Sequence, residues 1–221
     1  MLVTSDSWKV IDAGALRAAA VVDEPYPYLI IDNFIRQEAL AEVVKSFPVV
    51  PKRGSVPLDS VPCSGAFAAL MEEMHSVALR DLIGGRLGMD LSDKPPMITL
   101  RGHTDTKDGE IHTDSKSKLV TLLLYLNPGW QAAGGRLRLL YNNKDLNRYA
   151  AEISPEAGHC VIFKVTPDCW HGHEVYIGER RSVQLNYVTS DEARRSHLSR
   201  HRFSAFLKRL FSRTNEKSPV N

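Results

Sequence analysis

The stretch Ile111-His112-Thr113-Asp114 constrains this chain more than any other part of its sequence. Side chains two residues apart on a β-strand point to the same face, so His112 and Asp114 would project together. An imidazole and a carboxylate on one face are two of the three ligands of a 2-His-1-carboxylate site, which suits Fe(II) because three positions stay open. The pattern recurs at His103-Thr104-Asp105, so by itself it selects neither copy.

The residues that follow Asp114 predict a series of short strands separated by turns. Residues 119–126 are apolar and β-branched and are ended by Asn127-Pro128-Gly129, as is typical of a buried strand. Further strands are predicted over residues 136–141, 159–165 and 180–188. The candidate metal pair is therefore followed by a region that is entirely β.

The first 95 residues predict mostly helices. Helices are predicted over residues 13–22, 36–47 and 66–87, and strands over residues 8–11, 28–34 and, just beyond this region, 97–102. The proline-rich residues 48–64 predict a long loop, of the kind that can cover a site. Helices followed by short strands indicate an α+β fold, a β-barrel-like sandwich with helices packed on one side.

The composition is that of one globular domain. The chain has 221 residues, of which 43% are hydrophobic, enough for a sizeable core. Neither a secretory signal nor a membrane span is predicted. Cys63, Cys160 and Cys169 lack C-x-x-C spacing, so we expect free thiols in a reducing, cytoplasmic compartment.

The order of the short motifs resembles a known family. H-x-D, L-L-Y-L-N, G-G-x-L, P-x-x-G-x-x-x-x-F, W-H-G-H and R-x-S-V follow one another over roughly residues 95–190. This order resembles the Fe(II)/2-oxoglutarate-dependent dioxygenases, and most of all their prolyl-4-hydroxylase-like branch. Residues 25–34 also resemble the entry strand of that branch. The resemblance implies a double-stranded β-helix (jelly roll) core, with N-terminal helices on one side and a C-terminal helix.

The resemblance also implies an activity and its cofactors. Fe(II), 2-oxoglutarate and O₂ would be used, with ascorbate in support, to hydroxylate an unactivated C–H bond and release succinate and CO₂. The expected domain covers residues 1–190, with helical support over 1–95 and the jelly-roll core over 96–190. Residues 191–221 would form a basic amphipathic helix and a polar tail.

The family order selects the metal ligands. It favours His112 and Asp114 over His103, which is kept as a pocket residue or a plain surface histidine. The third ligand is His171 or His173, and His171 is preferred because it precedes Arg180 by nine residues, a spacing that the family favours. A four-ligand, cupin-like reading would use both histidines, but cupins carry H-x-H on the earlier strand.

A clamp for the co-substrate is predicted on the last strand. A guanidinium binds a carboxylate bidentately and stays charged, and the family pattern selects Arg180 rather than Arg181. Alternation places Arg180, Ser182, Gln184 and Asn186 on one polar face, which predicts a wet ligand site. Tyr125 shares a face with Thr121, and the resemblance implies that its hydroxyl reaches the same 2-oxoglutarate carboxylate.

Two further questions stay open from the sequence: the partners of the tail and the class of function. Residues 194–213 carry seven Lys or Arg and no acid, and Phe203, Phe206, Leu207, Leu210 and Phe211 form one apolar helical face. That helix could pack on the body, pair two copies in a homodimer or lie on an anionic membrane surface, with nucleic acid least favoured.

The substrate is a small molecule or a peptidyl group of prolyl, amino-acid, sugar or natural-product type. The competing class of function is a non-redox cupin-like isomerase or a sugar-binding jelly roll, suggested by His173 beside His171. A nucleic-acid demethylase is disfavoured because Asn186 stands where that branch carries a second arginine.

Overall fold

The structure, a computed structural model, describes residues 8–50 and 54–200 and is built on one large antiparallel sheet. Residues 201–221 are not described. The apolar face predicted over Phe203–Phe211 therefore lies outside the described residues, and so does most of the basic tail.

The described residues form five helices and nine strands. The helices are α1 (Ala13–Ala18), α2 (Gln37–Lys45), α3 (Gly65–Met74), α4 (Val77–Leu87) and α5 (191–200). The strands are β1 (Tyr28–Ile31), β2 (Ser55–Pro57), β3 (Pro96–Thr104), β4 (Lys118–Tyr125), β5 (Leu137–Leu140), β6 (Tyr149–Ile153), β7 (Cys160–Lys164), β8 (His171–Gly172) and β9 (Gly178–Val188).

The strands form two sheets in which every pairing is antiparallel. The large sheet has the order β1-β7-β4-β9-β3-β2, and the small sheet has the order β6-β5-β8. The prediction of an α+β fold, with helices first and antiparallel strands after them, is confirmed.

The two faces of the large sheet pack against different layers. Leu122 and Leu124 on β4 and Val183 and Leu185 on β9 belong to a buried cluster with apolar residues of α1 to α4. Side chains one residue out of step face the other way, because Cβ direction alternates along a strand. These include Tyr125, Val161 and Phe163, which pack with residues of the small sheet, Leu137, Leu139 and Ile153.

Residues 66–87 form two helices, not the single helix that their apolar stripe predicts. α3 ends at Met74, and Ser76 begins α4 by accepting a hydrogen bond from the Leu79 amide at 3.1 Å. A serine in extended conformation with its hydroxyl on the first turn is a favoured helix start. The break leaves the apolar side chain of Val77 46% exposed.

Two segments outside the predicted strands contain strands. Residues 48–64 include β2, which pairs with β3, and a 3₁₀ turn over Leu58–Ser60. Residues 142–152 include most of β6, which pairs with β5. Conversely, the strand predicted over residues 8–11 is reduced to one bridge between Ile11 and Ile35, and the first helix ends at Ala18 rather than Val22.

All three cysteines are free thiols, as predicted, with Cys160 and Cys169 buried and Cys63 half-buried. Across residues 8–50 and 54–200, no helix has both the length and the apolar character needed to cross a membrane.

The cap at Ser76 gives a test of the helix break. Ser76→Ala removes the acceptor for the Leu79 amide and should lower the free energy of unfolding by about 1 kcal/mol. In a chain of this size that corresponds to a melting temperature lower by about 2–4 °C. Ser64→Ala is the matched control, because Ser64 begins α3 without a side-chain cap bond and its loss should change little. Equal effects of the two variants would contradict the assignment.

Candidate functional site

A cavity of about 390 Å³ lies between the inner face of the large sheet and the small sheet. The strands β3, β4 and β9 supply one wall, and β5, β8 and the segment before β4 supply the other. Its lining includes most of the residues predicted for the site, namely His112, Asp114, Thr121, Tyr125, His171, His173, Arg180, Ser182 and Gln184.

His112 and His171 are brought together by the backbone. Their main chains form an antiparallel bridge in which the His112 amide donates to the His171 carbonyl at 3.0 Å and the reverse bond is 2.9 Å. The two ring centroids are 4.3 Å apart. His171 is buried at 4% exposure, while His112 is exposed at the cavity mouth. The bridge thus pairs a fixed inner imidazole with an outer one.

Backbone carbonyls set the tautomer of both rings. Nδ1 of His112 lies 2.8 Å from the Glu110 carbonyl, and Nδ1 of His171 lies 2.8 Å from the Cys169 carbonyl. A carbonyl only accepts, so each Nδ1 carries the proton and each neutral ring keeps its lone pair on Nε2. Burial, assisted by the neighbouring His112, lowers the pKa of His171 to about 4, so this ring is neutral at pH 7.

Asp114 holds its negative charge in a largely buried position. Its side chain is 8% exposed, Lys118 donates to Oδ1 at 2.6 Å, and the Thr121 hydroxyl donates to Oδ2. Burial alone would raise the pKa of this carboxyl. The Lys118 ammonium and the two hydrogen bonds outweigh burial, so the pKa lies below its ordinary value.

The donor set suits Fe(II). Two imidazole Nε2 atoms and one carboxylate match the 2-His-1-carboxylate ligand type, and carbonyl partners on Nδ1 are the usual outer support of metal-bound histidines. In the part of the chain that the structure describes, no three His, Cys, Asp or Glu side chains are already close enough to hold a metal ion. Metal binding here would therefore require His112, Asp114 and His171 to close up, with the Asp114 carboxylate exchanging partners.

Arg180 carries a buried charge whose hydrogen-bond partners are neutral. It is 5% exposed, its Nε donates to the Gly135 carbonyl at 2.8 Å, and its Nη2 donates to the Tyr125 hydroxyl at 3.3 Å. The guanidinium also lies 5.0 Å from the centre of the Tyr125 ring. A buried cation with neutral partners, on the wall of a cavity, favours binding of an anion.

His103 and His173 differ in their relation to the cavity. The pairing of β3 with β9 slips by one residue between Arg101 and His103, so His103 pairs with Glu179 and leaves the face that carries Arg180. It is absent from the cavity lining. His173 does line the cavity, and burial, together with Arg180, lowers its pKa to about 4.

Lys118 was not predicted for the site, and it contacts a candidate ligand directly. Alternation from Val120 would turn Lys118 toward the helices, but the pairing of β4 with β9 is irregular between Lys118 and Val120. Lys118 therefore pairs with Val188, on the same face as Asn186. A strand irregularity has no reliable signature in one sequence, so the pattern could not reveal this residue.

The pair Arg101 and Asp108 was also not predicted, and it fastens the segment that leads to His112. The Arg101 guanidinium forms an ion pair with Asp108, whose other oxygen accepts from the Asp105 amide at 2.8 Å. Arg101 also donates to the Ser55 hydroxyl at 3.3 Å. One strand of the large sheet thus holds both β2 and the segment 105–108.

Comparison with known proteins identifies one family model and several solved structures. Residues 98–188 match the model described as the 2OG-Fe(II) oxygenase superfamily. A Pseudomonas putida prolyl-4-hydroxylase is similar with 20% identity and a TM-score of 0.48, over 73% of this chain and 85% of that one. A Trichoplax adhaerens prolyl hydroxylase, in complex with a hypoxia inducible factor oxygen degradation domain peptide fragment, has 22% identity and a TM-score of 0.45, over 76% of this chain and 86% of that one.

The viral collagen prolyl hydroxylase of Paramecium Bursaria Chlorella virus-1, in its 2OG complex, has 16% identity and a TM-score of 0.48, over 77% of this chain and 100% of that one. Among curated proteins, none matches the chain.

The low pKa of His173 predicts how the metal-free protein responds to acid. A pKa that folding lowers from 6.5 to about 4 means that the unfolded chain binds more protons, so stability is full above pH 6.5 and falls toward pH 4. The loss from this residue is at most about 3 kcal/mol. Urea unfolding at pH 7 and pH 4.5 should show a smaller difference for His173→Gln than for the wild type. A difference as large in His173→Gln as in the wild type would contradict this prediction.

Proposed function

We propose that this chain is a 2OG-Fe(II) oxygenase, the superfamily whose model its residues 98–188 match, and that it hydroxylates an unactivated C–H bond of a prolyl, amino-acid, sugar or natural-product substrate. The enzyme is a 2-oxoglutarate-dependent dioxygenase, and Fe(II), 2-oxoglutarate and O₂ are its cofactors. The resemblance that the motif order suggested is thereby confirmed at the level of the superfamily.

One observation carries the assignment to particular residues. The same cavity is lined by the bridged pair His112 and His171, by the charged Asp114 carboxylate and by the buried Arg180. A site for a dication and a site for a dicarboxylate would then be neighbours, as an enzyme that uses both requires.

We assign the metal to Nε2 of His112, Nε2 of His171 and the Asp114 carboxylate. Bound Fe(II) supplies the oxidising chemistry, in which O₂ and 2-oxoglutarate are consumed and succinate and CO₂ are released. Backbone hydrogen bonds to both Nδ1 atoms orient the two imidazoles for this, and the Thr121 hydroxyl orients the Asp114 carboxylate, which would exchange the Lys118 ammonium for the metal.

Arg180 and Tyr125 bind the distal carboxylate of 2-oxoglutarate in this assignment. The guanidinium already holds the Tyr125 hydroxyl, so both donors point into the same part of the cavity. Leu123 and Leu137 add apolar surface to the lining and exclude water from the reacting centre. Ser182, Gln184 and His173 add further polar side chains to the lining.

The fold supports the same proposal. A large antiparallel sheet and a small one pack against each other through Tyr125, Phe163, Leu137 and Leu139, with the cavity at one end of that contact. We infer from this that the core is a double-stranded β-helix, with helices α1 to α4 covering its outer face.

The activity is tested by product formation. Purified protein with Fe(II), ascorbate and 2-oxoglutarate should release succinate, and more so with a competent substrate, which mass spectrometry would detect as an oxygen-containing product. His112→Ala and Asp114→Ala should reduce turnover to the level of free iron, because each removes a ligand. Turnover that is the same in the wild type and both variants would refute the assignment. Tight Zn(II) or Ni(II) binding without succinate would favour the cupin-like alternative.

The adjacent arginines give a sharper test of the co-substrate site. Arg180→Ala should raise the apparent constant for 2-oxoglutarate about ten- to hundredfold, because a charged hydrogen-bonding partner contributes roughly 1.5–3 kcal/mol. Arg181→Ala is the matched control: Arg181 lies on the opposite face, where it pairs with Glu179 and contacts the Phe47 ring. Its loss should leave that constant unchanged, and the opposite ranking would contradict the assignment.

A further inference from the structure

A chain of hydrogen bonds runs through the buried wall of the cavity and ends on Asp114. Gln184 Nε2 donates to Asn186 Oδ1 at 3.0 Å, and Asn186 Nδ2 donates to Thr121 Oγ1 at 2.7 Å. The Thr121 hydroxyl then donates to Asp114 Oδ2. Asn186 is 0% exposed and Thr121 is 1% exposed, so water does not compete for these bonds.

The direction of this chain is fixed by chemistry. Asn186 Nδ2 also lies 3.4 Å from the Val120 carbonyl oxygen. Because a carbonyl only accepts hydrogen bonds, the Asn186 side-chain amide must direct its nitrogen, and not its oxygen, toward Val120 and Thr121. Because the amide donates to Thr121, the single hydroxyl proton of Thr121 is left to donate onward. Its acceptor is the Asp114 carboxylate.

Strand pairing places the two middle members side by side. Thr121 on β4 and Asn186 on β9 are direct partners in the sheet, and both point toward the cavity face. Their contact therefore depends on the register of the two central strands and not on a loop. A support of this kind is rigid, as the orientation of a ligand requires.

The two oxygens of Asp114 consequently differ. Oδ2 is held by the Thr121 hydroxyl from the buried side, whereas Oδ1 meets only the Lys118 ammonium among the hydrogen bonds described. We propose that Asn186 and Thr121 are positioning residues that reserve Oδ2 as a hydrogen-bond acceptor and so present Oδ1 to the metal. This inference rests on the proposed function, because it takes Asp114 as a metal ligand.

Mn(II) binding, followed by electron paramagnetic resonance on the full chain without 2-oxoglutarate, measures the effect directly. Thr121→Val keeps the shape of the side chain and removes the donor, so Mn(II) affinity should fall about tenfold, the low end of the range for an outer partner of a ligand. Thr121→Ser restores a hydroxyl and should bind within about threefold of the wild type. Rescue by serine separates the hydrogen bond from packing.

Thr99→Val is the matched control. Thr99 is buried on the same cavity wall, with β9 between it and Thr121, and the substitution is chemically identical. It should leave Mn(II) affinity unchanged. If Thr99→Val and Thr121→Val weaken binding equally, or if Thr121→Val binds like the wild type, the proposal is overturned.

The role of Asn186 is tested by a double-mutant cycle. Asn186→Leu frees the Thr121 hydroxyl to turn away, so Mn(II) affinity should fall about threefold in the otherwise wild-type chain. In the Thr121→Val background the same change should have no further effect, because Asn186 acts only through Thr121. An equal loss in both backgrounds would overturn this role. Asn186→Ser takes its place in the cycle if the leucine variant does not fold.

Failure of this inference can be told apart from failure of the proposed function. If Asp114→Ala abolishes Mn(II) binding while Thr121→Val does not weaken it, the metal assignment stands and the positioning role is wrong. If the wild type itself does not bind Mn(II), or if Asp114→Ala binds as well as the wild type, both are wrong.

Discussion

The pairing of β4 with β9 at the centre of the large sheet is the constraint on which the rest of the structure depends. With Thr121 opposite Asn186 and Tyr125 opposite Ser182, every even position of β9 in this region faces the cavity and every odd one faces the helices. A slip of one residue would exchange these faces, bury Arg181 against the small sheet and remove Arg180 from the cavity. The apolar residues Leu122, Val183 and Leu185 oppose such a slip, since they would lose their contacts with the helices. The hydrophobic packing on one face thereby sets the chemistry on the other.

How much of the site could be predicted follows from the same pairing. The polar face of Arg180, Ser182 and Gln184 was predictable because regular alternation holds along β9, and all three line the cavity. Alternation fails at two irregular points, one that turns His103 away from the cavity and one that turns Lys118 into it. Such irregularities depend on how two strands meet, and a single strand's pattern does not record that. Which histidine joins the metal stays a prediction, supported by the bridge that sets His171 beside His112.

The helical half shows a similar limit for a different reason. The apolar residues of 66–87 predict one helix because hydrophobic periodicity does not register the Ser76 hydroxyl, which caps α4. β2 and β6 fall outside the predicted strands because each is short and depends on pairing with a partner that is distant in sequence or across a turn. Periodicity reports how a segment would bury its own side chains, and three to five residues are too few for that signal.

Charge balance in the cavity is a consequence of these placements. Asp114 is compensated by Lys118, His171 is neutral, and Arg180 keeps a charge that its carbonyl and phenol partners do not cancel. On the proposed assignment, a metal dication alone would bring two positive charges beside Lys118 and Arg180, and a dicarboxylate alone would bring two negative charges beside Asp114. Bound together, the metal dication and the dicarboxylate add no net charge to the cavity. The difference in electrostatic energy between joint and separate binding is larger in a cavity of low dielectric constant than in water. Electrostatics therefore favours joint binding of the metal and 2-oxoglutarate, the metal beside Asp114 and the dicarboxylate beside Arg180.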